Sequence, residues 1–306
     1  MAITYDNTKD PVKTNDRSLN SRLFLNNAFI LLGDFSYSPF YGTLGQMFVP
    51  FGTYSSTMIS SPLTKSLMRT KARAVLAGYQ QQAANAFYTA VYVFKGDSHG
   101  SAGSRINNGG VNVGYRFDLA TPDVAGDFGA GLIGNMADSV GMQYTNNRPQ
   151  FNGFGGPSPY GNEKIVHRVP ALNVRGKFSL GDHLDVITEY VGATTSFNPN
   201  DLSFNVNGAK PWGMNAEAAY SFSCFEKPSA VGVGFSQIKE ALALGLPERR
   251  FGLVFNTSLW RNTLQAIEFR HDINYASSNT SSGSGVAYVG TGTVDNIVTA
   301  EFEVYF

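Results

Sequence analysis

The residues that could do chemistry are sparse and scattered. The four histidines, His99, His167, His183 and His271, never fall at metal-ligand spacing, and the lone cysteine, Cys224, has no partner for an internal disulfide. One run, Gly129-Ala130-Gly131-Leu132-Ile133-Gly134, matches the dinucleotide-binding fingerprint in form. That fingerprint works only where a helix follows it. Here it lies inside an alternating segment with no helix after it, so small residues on a wall are expected instead. A hydrolase would need a histidine positioned to activate a nucleophile, and no such arrangement is expected here. His183 is expected in a turn and His271 on an outward face. The expectation is no enzyme, no cofactor and no metal.

What remains is a set of charges at alternate positions of otherwise greasy segments. Arg73, Arg116, Arg175, Lys177, Arg250 and Arg270 are expected on one shared wall, with Asp118, Asp185, Glu189, Glu217, Glu268, Asp272, Glu301 and Glu303. Residues two apart share one face of a strand. A face carrying such charges wants water, and its opposite face is apolar. Pore-lining is the functional reading; a solvated or salt-paired wall position is the plainer one for each residue. The two signs nearly cancel with a slight acidic excess, which predicts a weak ionic preference.

The elements that must position these charges follow from the period. Val294, Val298, Ala300, Phe302, Val304 and Phe306 alternate with Asp295, Thr299, Glu301, Glu303 and Tyr305, and Leu172 to Leu180 repeats the pattern. The same rule marks strands at 111–119, 128–136, 184–190, 212–222 and 251–259. Noisier ones fall at 21–35, 41–51, 71–80, 86–95, 229–237 and 263–275. Connections alternate short and long along the chain, as in a transmembrane barrel with short periplasmic turns and long extracellular loops. An upward strand at 2–7 is needed for parity, giving about 14 strands, or about 12 if two noisy segments merge. Leu180 and Leu184 must share a face, so Gly181-Asp182-His183 should form a three-residue turn that sets Arg175 opposite Glu189.

Composition agrees. The chain has 306 residues, 42% hydrophobic and 15% charged, with 33 glycines, 23 phenylalanines and 15 tyrosines, a mix that suits antiparallel sheet. Basic and acidic residues balance at 23 each, which argues against a nucleic-acid partner. No segment approaches the roughly 20 apolar residues of a spanning helix. The start is polar, so a secretory leader is expected to have been removed. A soluble all-β fold, a propeller and an outer-membrane hydrolase fit less well, and a transporter of about 22 strands with a plugged lumen needs a longer chain. The expectation is one domain over 1–306: an all-β, transmembrane antiparallel β-barrel in a bacterial outer membrane. Its partners would be membrane lipids and a small solute, with the oligomeric state open.

Function is expected in the long connections. Ser139 to His167 could fold inward as a constriction, and Gly52 to Thr70 competes with it. The run Gly45-Gln46-Met47-Phe48-Val49-Pro50-Phe51-Gly52-Thr53-Tyr54, continuing through Ser60 to Leu67, resembles the Gly-Gln-x-x-x-Pro-Phe-Gly segment of the legiobactin-uptake siderophore porin family. More loosely it is similar to the phosphate and polyphosphate-selective porins. The resemblance implies passive uptake of a ferric siderophore without TonB, and it transfers no binding residues. A general diffusion porin is the alternative; a structural or adhesive barrel that conducts nothing is the rival from another class.

Overall fold

In the computed structural model, residues 2–6, 22–100, 105–120, 123–143, 151, 153–155, 162–283 and 285–305 are described. The antiparallel strands are β1 (Ala2–Asp6), β2 (Arg22–Leu32), β3 (Phe40–Phe48), β4 (Lys71–Gln80), β5 (Ala86–Phe94), β6 (Asn108–Ala120), β7 (Asp123–Ile133), β8 (Ala171–Leu180) and β9 (Leu184–Ala193). After two short strands, β10 (Leu202–Phe204) and β11 (Asn207–Gly208), come β12 (Trp212–Cys224), β13 (Lys227–Lys239), β14 (Arg249–Thr257) and β15 (Thr263–Ile273). The chain ends through β16 (Thr280–Gly283), β17 (Val286–Val289) and β18 (Val294–Val304).

Fourteen of these strands form one sheet in the order β1 to β9, β12 to β15, β18. Thirteen share one continuous ladder, and β1 joins it by pairing with the first half of β2, Ala2 opposite Asn27 and Asp6 opposite Arg22. The count of 14 and the sequential meander match the parity argument. Strand-to-strand hairpins at one end are short. At the other end the connections are long, and they hold the small sheet β11-β10-β16-β17.

Alternation sorts the two faces. Leu44, Val75, Val91, Leu132, Val174, Val233, Leu253, Ile267, Val298 and Phe302 are all exposed large apolar side chains, one face of strand after strand. A continuous apolar surface of this extent belongs against lipid, not water. Val298 is 70% exposed and Phe302 59%, which puts the last strand's apolar residues outside as the pattern requires. Phe306 lies outside the described residues. Aromatic rings mark both margins: Trp212 stacks on Tyr190 at 6.0 Å at the loop-rich end, and Trp260 meets Phe302 at 6.2 Å near the short turns. Amphipathic rings are favoured at these two depths.

The β8–β9 hairpin shows how local chemistry fixes register. Leu180 pairs Leu184 and Arg175 pairs Glu189. Gly181 supplies the left-handed residue at φ +59°, which costs little without a Cβ.

Candidate functional site

The inner face is occupied by the segment between β3 and β4. After Phe48 the chain turns inward at Val49 to Gly52, crosses the lumen, and returns through a short helix, α1 (Leu63–Met68). Gly52, at φ +83°, makes the turn. A Cβ there would lie 2.6 Å from the Tyr54 ring and 2.7 Å from Glu189 Oε1. Only glycine fits both the backbone and the space.

Three wall carboxylates hold this segment from three different strands. Glu189 on β9 accepts the backbone N–H groups of Thr53 (3.1 Å) and Tyr54 (3.0 Å). Glu217 on β12 accepts the Thr57 N–H (2.6 Å) and the hydroxyls of Ser56 (2.8 Å) and Thr57 (3.0 Å). Glu268 on β15 accepts the N–H of Ser60 at 2.8 Å and the Ser60 hydroxyl. On β14, Arg250 donates to the Ser61 carbonyl at 3.0 Å and forks onto Asp272 at 2.7 and 3.0 Å. A segment leaving β3 can reach β9, β12, β14 and β15 from one side only if the sheet curls around a common interior. Between the polar anchors, Met58 lies against Gly232, Gly234 and Gly252, where an added Cβ would come within 3.1–3.4 Å of it.

Apolar packing reinforces the anchors. Phe51, Leu63, Leu67 and Met68 are fully buried and share one cluster with wall residues Met47, Leu76, Tyr92, Phe94 and Ile133. A second short helix, α2 (Val140–Gln143), packs behind α1. The Ser139 hydroxyl donates to the Leu67 carbonyl at 2.8 Å, and the Val140 N–H donates to the Arg69 carbonyl at 2.9 Å. Of the two expected constricting connections, 52–70 therefore enters the lumen. The described part of 139–167 backs it, with Phe151 and Phe154 stacked edge-on at 4.8 Å in the same cluster.

The expected wall charges divide into two groups. Arg175, Glu189, Glu217 and Glu268 are buried under the inward segment, and Arg270, beside Asp272 (3.1 Å), is half-buried. Arg116, Lys177, Asp185, Glu301 and Glu303 share the inner face nearer the short turns, and all are exposed or half-exposed. Arg73 is a correction. Its neighbours Ala74 and Leu76 are buried on the inner face while Val75 is 51% exposed, so Arg73 stands on the outer face. The physical reason is the apolar cluster inside: wall residues facing it are apolar too. Here both faces are greasy, and polarity stops marking the lumen.

Arg175 stands opposite Glu189 as expected, yet the two side chains do not meet directly. Asn173 stands between them, accepting from Arg175 Nη1 at 3.1 Å and donating to Glu189 Oε1 at 2.9 Å. Arg175 Nη2 reaches the Tyr88 hydroxyl (3.1 Å), which donates to Asp127 (2.6 Å). Sequence reasoning missed Gly52, Tyr54, Ser56, Thr57 and Ser60. Their signal was a Ser/Thr-rich stretch with no carboxylate of its own. The dinucleotide-like run closes β7 and ends one residue past it, with Gly129 and Gly131 on the inner wall, where Gly131 accommodates Phe51. His183 is in the β8–β9 turn beside Tyr220, and His271 meets Asn296 on the outer face. Among the described residues no three His, Cys, Asp or Glu side chains cluster as metal ligands.

A lipid-facing apolar belt around an antiparallel meander, with a loop folded inside, defines an outer-membrane type β-barrel. The comparisons place the chain beside particular proteins. It is 42% identical over 314 residues to the UPF0422 protein lpg2959 of Legionella pneumophila, spanning all of this chain and 58% of that protein. It is 39% identical over 311 residues to a UPF0422 protein of Coxiella burnetii, spanning all of this chain and 62% of that one. The chain thus spans about three-fifths of the length of these curated relatives. No family model matches the chain. Among solved structures it superposes on the outer membrane channel DcaP of Acinetobacter baumannii with a TM-score of 0.54 at 12% identity, covering 98% of this chain and 78% of that one. At that identity the likeness supports the barrel fold.

Proposed function

We propose that this chain is a passive outer-membrane channel for small polar solutes, narrowed by its own residues 49–70. One observation carries the reading: three buried wall glutamates on β9, β12 and β15 pin an inward loop above a stretch of lumen still lined by exposed and half-exposed charges. A loop so held leaves a restricted passage, and it consumes the acidic charges that would otherwise favour cations. Weak ion selectivity follows. The wall and the loop together hold both signs, so size governs passage more than charge.

A ferric siderophore is the finer proposal for the solute, supported by the resemblance over Gly45 to Tyr54. Those residues here build the entry of the loop: Gly45 packs against the Ala28 carbonyl, Phe51 is buried, and Gly52 makes the turn. Their shared spacing supports a shared loop architecture. A second reading, a barrel that conducts nothing, draws support from the apolar cluster of Phe51, Leu63, Leu67 and Met68 inside the lumen.

Planar-bilayer conductance, with liposome uptake of ferric hydroxycarboxylate complexes and of sugars of matched size, separates these readings. Conductance with preferential uptake of the iron complex supports the siderophore assignment. Equal uptake of both solutes supports general diffusion. Zero conductance at every voltage together with no uptake refutes the channel and supports the structural barrel.

A further inference from the structure

Arg73 puts a cation on the lipid-facing side of the wall. Arg73 on β4 lies opposite Gln46 on β3, and the ladder that pairs Ala74 with Phe94 brings Arg73 beside Lys95, just past the end of β5. Lys71 stands on the same face one pleat further toward the loops. Immediately beyond, toward the short-turn end, the same face becomes apolar through Leu44, Val75 and Val93. The cations therefore sit at the boundary where the greasy belt ends on the side of the long loops.

Like charges placed side by side across a ladder repel. Among the described residues neither Arg73 nor Lys95 forms a hydrogen bond or ion pair, and both are exposed. A cleft of about 390 Å³ opens at this place, bordered by Lys71, Arg73 and Lys95 together with Gln46, Asp97 and Asp138. The Asp138 carboxylate is engaged by the Ser98 N–H and hydroxyl and by the Asn108 amide at 2.6–2.8 Å. That leaves Asp97 as the acid opposing an incoming anion. Nearby, the Arg69 guanidinium lies 4.5 Å over the Phe48 ring, adding positive charge to the same margin.

We propose that Lys71, Arg73 and Lys95 form a binding site for the phosphate groups of an outer-leaflet lipid, whose acyl chains lie along Leu44, Val75 and Val93. A lipid is the occupant because the cations share a face and a continuous surface with the apolar belt. A free anion in the lumen would find them on the wrong side of the wall. Arginine and lysine suit the task, as fork and point charge for phosphate oxygens.

The test is native mass spectrometry of the refolded full chain in detergent with bis-phosphorylated lipid A, dephosphorylated lipid A, or inorganic phosphate added. Wild type should retain the phosphorylated lipid and release the dephosphorylated one. At about 1 kcal/mol per surface cation, the double change Arg73→Gln with Lys95→Gln should weaken retention about 30-fold, and each single change about fivefold. Asp97→Asn should strengthen it. Arg249→Gln, an exposed outward cation at the same end of β14, serves as the control and should change nothing. Equal retention of the two lipids, or a double variant that binds as wild type does, overturns the site. Displacement of the lipid by millimolar phosphate overturns the lipid assignment in favour of a soluble anion. If the double variant does not fold, the two single variants carry the same comparison.

Discussion

Replacing Glu217 by glutamine tests whether the lumen loop is held by charge. Glu217 is 4% exposed. Its Oε2 accepts from the Thr57 N–H at 2.6 Å and the Thr57 hydroxyl at 3.0 Å, while Oε1 accepts from the Ser56 hydroxyl at 2.8 Å and the Asn215 amide at 2.9 Å. Glutamine has one acceptor oxygen. Flipping Asn215 to face the new amide would break the bond its Oδ1 accepts from the Ser236 hydroxyl at 2.5 Å and force that hydroxyl to turn round and accept instead. The variant sets an NH₂ against a donor on one side, or reorganises the Asn215–Ser236 pair to avoid it, and loses the charge on the other. Hydrogen bonds to charged groups contribute about 1.5–3 kcal/mol against about 1 for neutral ones, so two weakened bonds and one opposed donor should cost the loop about 3 kcal/mol. At 1.4 kcal/mol per tenfold, that is about a hundredfold loss of local protection. Hydrogen exchange at the Thr57 and Met58 amides in nanodiscs reads it directly, since loop opening is sub-global. Barrel melting should stay put, and single-channel records should show more frequent open excursions. If Thr57 protection falls less than about threefold while the variant is folded, the carboxylate anchors nothing and the reasoning is wrong.

Other outcomes follow from the same geometry. Gly52→Ala forces a Cβ into Tyr54 and Glu189 at a positive φ, and should loosen residues 53–61 by more than about 1 kcal/mol, visible as lost exchange protection there. Val298→Arg puts a charge midway along the lipid face of β18. It should cost about 2–4 kcal/mol in urea unfolding from vesicles; an unchanged midpoint would mean the two faces have been assigned the wrong way round. In the extracellular loop, burial raises the Glu163 carboxyl from its usual 4.5 to about 7. The folded loop then holds a proton that the opened loop releases, so its stabilisation is complete below about pH 4.5 and fades as pH rises through about 7. Exchange at the Phe154 and Glu163 amides, corrected for intrinsic rates, should show that loss between pH 5.5 and 8, and Glu163→Gln should flatten it.

Much of the barrel could be read in the sequence because a membrane enforces a strict period. Wherever one face met lipid and the other met water, as on β8, β9 and β18, alternation gave the strand, its register and its outward side, down to Arg175 opposite Glu189. Alternation does not mark the lumen side on β4 and β5. There the inner face packs on Phe51, Leu67 and Met68, so apolar residues occur on both sides and Arg73 was misplaced. The small sheet β11-β10-β16-β17 went unseen because strands of two to four residues are too short to carry a periodic signal. The anchoring glutamates were identified as wall residues; their role was not, since it depends on which of two long connections folds inward. That choice is made by contacts across the lumen, which no local window contains.

Those contacts also dictate when the molecule can be finished. Thr53 and Tyr54 reach an acceptor 135–136 residues later, Ser56 and Thr57 one 160–161 residues later, and Ser60 one 208 residues later. During assembly the segment is made early, yet each of its acceptors arrives with a later hairpin. Pairings of such long sequence separation form slowly, because the closure entropy is spent before the bond is made. The loop must then wait unanchored, its serines and threonines hydrated, until β9, β12 and finally β15 come into place. Ser60 to Glu268 is the last latch, so a chain stalled before β15 would carry a loose loop in an unfinished wall, open to proteases that the completed barrel excludes.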